Sequence, residues 1–231
     1  MSSISTSDSF LRLRTNAQRV PVPRDLPRGV YARLGKRMLD IALVLMLLPI
    51  AIPVIAISAL MIMAGGNSPF YAQQRVGQFG RVFRIWKLRT MHADADQRLQ
   101  ALLAENAALR NEWNTRQKLQ RDPRITRVGH FLRQTSIDEL PQIFNVLRGD
   151  MSLLGPRPMM LDQVKLYGAS LPAYLALRPG ISGLWQVTER NDANFEQRAM
   201  IDAEYAATLS FANDLRLVVK TIKVVLRSTG I

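Results

Sequence analysis

The sequence predicts an α-rich α+β chain: a re-entrant membrane helix hairpin joined to a small cytosolic domain that carries amphipathic interfacial helices and a short β-hairpin. Three observations support this. One apolar block, Ile41 to Ala64, has Ser58 as its single polar interruption and exceeds the roughly 20 residues that cross a bilayer as a helix. Basic residues flank the block on both sides. Beyond it, strand-like and helix-like periods run over a length that one core can bury. The expected organisation is a basic mobile tail over 1–32, the membrane helix over 33–66 and the cytosolic domain over 67–231.

A net charge of +13 predicts attraction to something anionic, whether nucleic acid, acidic lipid headgroups or a phosphorylated substrate. The absence of cysteine excludes disulfides, thiolate metal sites and cysteine nucleophiles. With His92 and His130 as the only histidines, zinc or triad chemistry built on imidazole is disfavoured. Chemistry then falls to carboxylates, Lys, Arg and a hard cation.

The tail is rich in Ser, Pro and Arg without an apolar period. It does not resemble a secretory signal, because the apolar block starts late, runs long and is followed by no clean small-residue cleavage site. Within the block, Pro49 and Pro53 each remove a backbone donor and bend the helix. Before it stand Arg28, Arg33, Lys36 and Arg37 among others; after it come Arg75, Arg81, Arg84, Lys87 and Arg89, with no acid until Asp94. Both ends therefore look cytoplasmic by the positive-inside rule. A helix bent at its centre, entering and leaving by one face, reconciles length, prolines and flanks; a kinked spanning helix is the competing description.

Phe70 to Met91 holds Val, Phe, Ile and Trp separated by Gly77 and Gly80, which predicts a β-hairpin. Alternation in its second half puts Lys87 and Arg89 on one face, where they either grip a phosphate or guard a solvated edge. Asp94 to about Gln120 reads as a packing helix with Leu99, Leu102, Leu103 and Leu109 as an incomplete stripe, broken at Arg121-Asp122-Pro123-Arg124.

Thr135-Ser136-Ile137-Asp138-Glu139-Leu140-Pro141 then places two adjacent carboxylates in a basic chain. They suit a nucleophile or a metal ligand, while Ser136 and Glu139 also have the spacing of a capping box. A helix capped at Ser136 would put Pro141 where it deletes a hydrogen bond, so a start capped by Ile137 or Asp138 is favoured, with the helix running to Gly149. Pro156-Arg157-Pro158 fixes an arginine suited to bidentate phosphate recognition, or forms a plain loop. In Arg178-Pro179-Gly180-Ile181-Ser182-Gly183-Leu184-Trp185-Gln186-Val187 the Trp packs or stacks with equal ease. Finally, Leu215, Val218, Val219, Ile222, Val225 and Leu226 form a helical stripe beside Arg216, Lys220, Lys223 and Arg227, a basic amphipathic helix suited to an acidic bilayer surface.

Taken in order, Lys36-Arg37 with Asp40, the proline-broken block, Arg75-Val76-Gly77, Lys87-Leu88-Arg89-Thr90-Met91, Asp138-Glu139-Leu140-Pro141-Gln142, Gly155-Pro156-Arg157-Pro158 and the Arg178–Val187 segment resemble the bacterial sugar transferase family. Its members are monotopic polyprenyl-phosphate sugar-1-phosphate transferases, and the likeness is greatest to short exopolysaccharide galactosyl- or glucosyl-phosphate transferases. The resemblance implies a catalytic domain on the cytosolic face of the bacterial inner membrane, a UDP-sugar donor, a polyprenyl phosphate acceptor and Mg²⁺ dependence. It implies Asp138 as nucleophile and Glu139 as its magnesium-binding neighbour. It places Lys87, Arg89, Arg133 and Arg157 where phosphates or the nucleotide are held. Some small members break the membrane helix at Ser-Pro, whereas here Leu48 and Ile52 precede the prolines.

The expected function is transfer of hexose-1-phosphate from UDP-sugar to undecaprenyl phosphate with release of UMP. The competing reading is a non-catalytic membrane-surface scaffold that binds acidic lipids. Nucleic acid is not an expected partner, for want of a base-reading or aromatic-platform motif, and the sequence is compatible with a homo-oligomer.

Overall fold

The computed structural model describes residues 29–116, 119, 122–188 and 195–226. The expected basic tail up to residue 28, Gln120 and Arg121 at the expected helix break, and Arg227 of the last basic face lie outside the described residues. The described chain is mostly helical, with two small two-stranded sheets, and it divides into two compact units.

Helix α1, Lys36–Ala64, follows a π-helical turn at Tyr31–Gly35 and contains both Pro49 and Pro53. It is long and apolar enough to cross a membrane, yet its most apolar window is only 22% buried within the protein. The core helix of a soluble protein would be mostly buried. Here Met46, Ile50, Ile57 and Leu60 stand exposed, and a narrow stripe of Ala51, Ile55, Ala59 and Ile62 is covered.

Among the described residues, the first unit comprises residues 29–48, Ala72–Trp86 and residues 142–226. The basic start of α1 is pinned inside it. Lys36 Nζ donates to Asp214 Oδ2 at 2.8 Å and to the Tyr205 hydroxyl at 2.9 Å, and all three groups are buried. Arg37 donates to the Val146 and Leu147 carbonyls, the last turn of helix α5 (Gln142–Arg148), whose orphan acceptors it satisfies. Asp40 accepts from the Ser152 hydroxyl and the Leu153 amide. Lys36 and Arg37 thus serve internal contacts, so the count of flanking cations available to a membrane surface falls by two.

Strands β1 (Phe70–Val76) and β2 (Val82–Leu88) form the expected hairpin around a 3₁₀ turn, Gln78–Gly80. β2 ends at Leu88, so the strand alternation expected to carry Lys87 and Arg89 on one face stops short of Arg89. β3 (Ser152–Leu154) and β4 (Gly180–Ser182) pair in parallel, Ser152 with Gly180 and Leu154 with Ser182. The Gly155 and Gly180 backbones touch there so closely that a β-carbon on either would strike the other strand's main chain. One apolar cluster of this unit gathers Val76, Met159, Tyr167, Tyr174, Leu175 and Ala199; a second gathers Leu154, Tyr205, Leu209 and Leu217. They rest on α6 (Leu171–Ala176), α7 (Leu184–Thr188), α8 (Phe195–Ala207) and α9 (Phe211–Leu226).

The second unit holds Pro49–Tyr71 and Lys87–Pro141 among the described residues. The long helix expected from Asp94 is two helices, α2 (Ala95–Glu105) and α3 (Ala107–Arg116). Asn106 divides them, because it is extended and its side-chain oxygen caps the Ala108 and Leu109 amides. Helix α4, Arg127–Gln134, is capped by the Thr126 hydroxyl, which accepts from the Gly129 amide at 2.9 Å.

Candidate active site

The carboxylate pair occupies a 3₁₀ turn, Ile137–Glu139, and α5 begins only at Gln142. Pro141 immediately precedes that helix, so its missing N–H deletes no helical bond, and the start lies later still than Pro141 alone predicted. Ser136, which would have capped an earlier helix, instead takes a left-handed conformation with φ +57° and makes no cap hydrogen bond. Such a conformation costs a non-glycine residue about 1 kcal/mol, and it turns the chain sharply from α4 into the pair.

Asp138 is 8% exposed, whereas Glu139 is partly open to solvent. Lys87 Nζ donates to Glu139 Oε1 at 2.7 Å. Burial pushes the Asp138 carboxyl up to about 6, against the opposing pull of the Lys87 cation; the Glu139 charge adds to the rise and Arg133 lessens it. Burial also lowers Arg133, while the Asp138 charge holds it up. The turn therefore sets two acids with different environments side by side, with a lysine and an arginine close enough to bias them.

Arg133 is held in place by residues that sequence reasoning did not single out. Its Nε donates to the Thr90 hydroxyl at 2.9 Å. The Thr90 carbonyl in turn accepts from the Thr126 amide, and Gly129 packs against it so tightly that a β-carbon there would overlap the carbonyl. Thr90 sits within the Lys87–Met91 motif, which was a usable signal; Gly129 within α4 gave none beyond its cost to the helix.

The two remaining cations make other contacts. Arg89 donates to the Ser68 and Phe70 carbonyls and lies over the Tyr71 ring, so it buttresses its own loop. Arg157 belongs to the first unit, where its guanidinium stacks 5.3 Å from the Trp185 ring centroid. The structure thus groups Lys87, Arg133, Asp138 and Glu139, while the contacts of Arg89 run to its own loop. Among the described residues no cluster of three or more acids or histidines could hold a metal ion. A pair of carboxylates still fits Mg²⁺, which takes one or two protein carboxylates and completes its shell with water and substrate phosphates.

A sequence model of the bacterial sugar transferase family matches residues 31–228. The undecaprenyl-phosphate galactose phosphotransferase of Salmonella typhimurium is 43% identical over 199 residues, 86% of this chain and 42% of that protein. The UDP-galactose-lipid carrier transferase of Erwinia amylovora is 41% identical over the same shares. The chain thus spans about two fifths of the length of these two relatives. The exopolysaccharide production protein ExoY of Sinorhizobium fredii is 40% identical over 198 residues, 85% of this chain and 88% of that protein.

Proposed function

The chain belongs to the bacterial sugar transferase family, and from that premise we propose that it transfers a hexose-1-phosphate from a UDP-sugar to undecaprenyl phosphate, initiating an exopolysaccharide repeat unit. The observation that carries this reading is the buried Asp138 beside the Lys87–Glu139 pair and Arg133.

An Asp138 carboxylate oxygen attacks the sugar-bearing phosphorus of the donor. The bond from that phosphorus to the bridging oxygen breaks, and UMP leaves with the electron pair. An oxygen of undecaprenyl phosphate then attacks the same phosphorus and restores the free carboxylate, leaving the sugar on a lipid diphosphate. A carboxyl titrating near 6 is mostly ionised at neutral pH, and its burial strips water from the nucleophile. Lys87 and Arg133 offset charge on the phosphoryl group as it passes. Arg89 and Arg157 keep the phosphate- or nucleotide-holding roles that family likeness implies. Glu139 would hold Mg²⁺, and for that Lys87 must give up its present partner. The metal, when bound, supplies charge neutralisation on the diphosphate.

A membrane-level acceptor gives the exposed flank of α1 a purpose. The proline-bearing helix enters and leaves the cytosolic face of the inner membrane. α9 lies on the acidic surface, with Phe211, Leu215, Val219 and Ile222 exposed on it and Arg216, Lys220 and Lys223 alongside.

The test is UMP release from a panel of UDP-sugars with polyprenyl phosphate and Mg²⁺. Turnover with one hexose and its loss in Asp138→Asn is the expected result. Full turnover in Asp138→Asn, or no UMP with any donor, leaves the scaffold reading in its place.

A further inference from the structure

A cavity of about 440 Å³ in the first unit is lined by the outer face of β2 and by the chain that leaves α5. Along β2, Val82, Arg84 and Trp86 alternate outward and are exposed, while Ile85 on the opposite face is buried. Arg148, Asp150 and Gln74 of β1 complete the polar lining. One residue fixes both contributing segments. Asn145, fully buried in α5, accepts through Oδ1 from the Trp86 amide at 3.1 Å and donates through Nδ2 to the Arg84 carbonyl at 2.8 Å. The end of the same helix is tied to the base of α1, where Arg37 donates to the Val146 and Leu147 carbonyls at 2.6 and 3.0 Å. Arg178 Nε adds a bond to the carbonyl of Gly149, between Arg148 and Asp150. The cavity therefore rests on a fixed frame, and that frame includes the base of the apolar helix.

Two guanidinium groups, a carboxylate and an indole around one space have a definite complement. Arginine forks suit the unesterified oxygens of a phosphate. Arg148 Nε stands 3.6 Å from Asp150 Oδ2, too long for a hydrogen bond, so that pair leaves the guanidinium's donors to a ligand. The two arginines less Asp150 leave one positive charge, which matches a phosphodiester monoanion. Asp150 can accept from a hydroxyl of the ligand, and Gln74 can donate or accept. Val82 and the Trp86 ring offer apolar surface at the rim, and an indole suits the boundary between water and lipid. A phosphodiester with hydroxyls on one side and an apolar body on the other is the headgroup region of an anionic glycerophospholipid.

We propose that this cavity holds the headgroup of one anionic phospholipid of the phosphatidylglycerol type, at the base of α1. That the base of α1 meets a bilayer rests on the membrane reading proposed above. Arg84 and Arg148 take the phosphodiester, Asp150 accepts from a glycerol hydroxyl, and Val82 and Trp86 lie against the glycerol backbone and the first methylenes. Such a lipid is held one to a protein, unlike the diffuse attraction of an acidic surface for the cations of α9.

The experiment titrates the full chain in detergent with phosphatidylglycerol or phosphatidylcholine, counts bound lipid by native mass spectrometry, and repeats the first titration with inorganic phosphate present. One phosphatidylglycerol binds at least about tenfold tighter than phosphatidylcholine, equimolar phosphate does not displace it, and Arg84→Gln or Arg148→Gln each weakens it by about tenfold. Equal affinity for the two lipids overturns the proposal without recourse to any variant. Displacement by equimolar phosphate does so too, because it makes the cavity a site for a free anion. Preference retained in a protein carrying both substitutions, with a thermal midpoint that shows it folded, also overturns it; preference lost in Lys220→Gln instead assigns the lipid to α9. Phosphatidylglycerol selection in a protein that releases no UMP would sink the reaction and leave the site standing; UMP release in turnover without that selection would do the reverse.

Discussion

Asp138 and Glu139 are adjacent in sequence and differ in what surrounds them, and the proposed mechanism gives them different work. As the proposed nucleophile, Asp138, whose carboxyl burial pushes up to about 6, must lose its proton to attack, so kcat/KM should fall as pH drops through about 6. Lys87 holds that value down, so Lys87→Met should shift the acid limb to higher pH and lower kcat/KM by about 10²-fold. A pH–rate profile of the two proteins checks both effects. The same shift bears on stability. The folded chain keeps the Asp138 proton to higher pH than the unfolded chain, whose carboxyl titrates at 3.8, so ionisation costs stability as pH rises from about 4 to about 6 and above. Asp138→Asn should therefore raise the melting temperature at pH 8 and leave it nearly unchanged at pH 4. Of this arrangement, the acids and cations were legible from residue type and order. Their inequality was not, because burial is a property of the surrounding chain, and neither was the role of Thr90, whose hydroxyl orients Arg133.

Among the elements, legibility followed length. The apolar helix and the β1–β2 hairpin have enough residues to display a period. The β3–β4 pair has three residues in each strand and a partner some 28 positions away, so no periodicity announces it, and Gly/Pro-rich loops were the natural reading of both segments. Asn106 divides a helix that the leucine stripe alone would continue, because a side-chain cap competes with propagation at one residue. Two element-level outcomes follow. Gly129→Ala forces a β-carbon into the Thr90 carbonyl and should destabilise the protein by about 2–3 kcal/mol in denaturant titration, despite alanine's better helix propensity. Asp214→Asn leaves the buried Lys36 ammonium without its counter-charge and should cost about 3–5 kcal/mol by the same measurement. By sequence Lys36 reads as a membrane-flanking cation, and its buried partner lies 178 residues away, beyond the reach of any local pattern.

For the whole molecule, charge, an apolar helix and a carboxylate pair all support the proposed phosphoryl exchange between a polar donor and a lipid acceptor. The exposed apolar face of α1 and the mixed apolar and basic surface of α9 suit the bilayer surface that the proposed reaction requires. Replacing Arg216, Lys220 and Lys223 by Glu should reduce co-sedimentation with vesicles rich in anionic lipid by severalfold, with little change on neutral vesicles. The central claim is the covalent intermediate on Asp138. Its most direct measurement mixes the protein with a UDP-hexose and Mg²⁺ in the absence of lipid acceptor, counts the UMP released, and maps the adduct by mass spectrometry. One equivalent of UMP per protein at most, with a hexose-phosphate mass on the peptide containing Asp138 and neither signal in Asp138→Asn, is the predicted result. UMP released only when acceptor is present, with that peptide unmodified throughout, would contradict it.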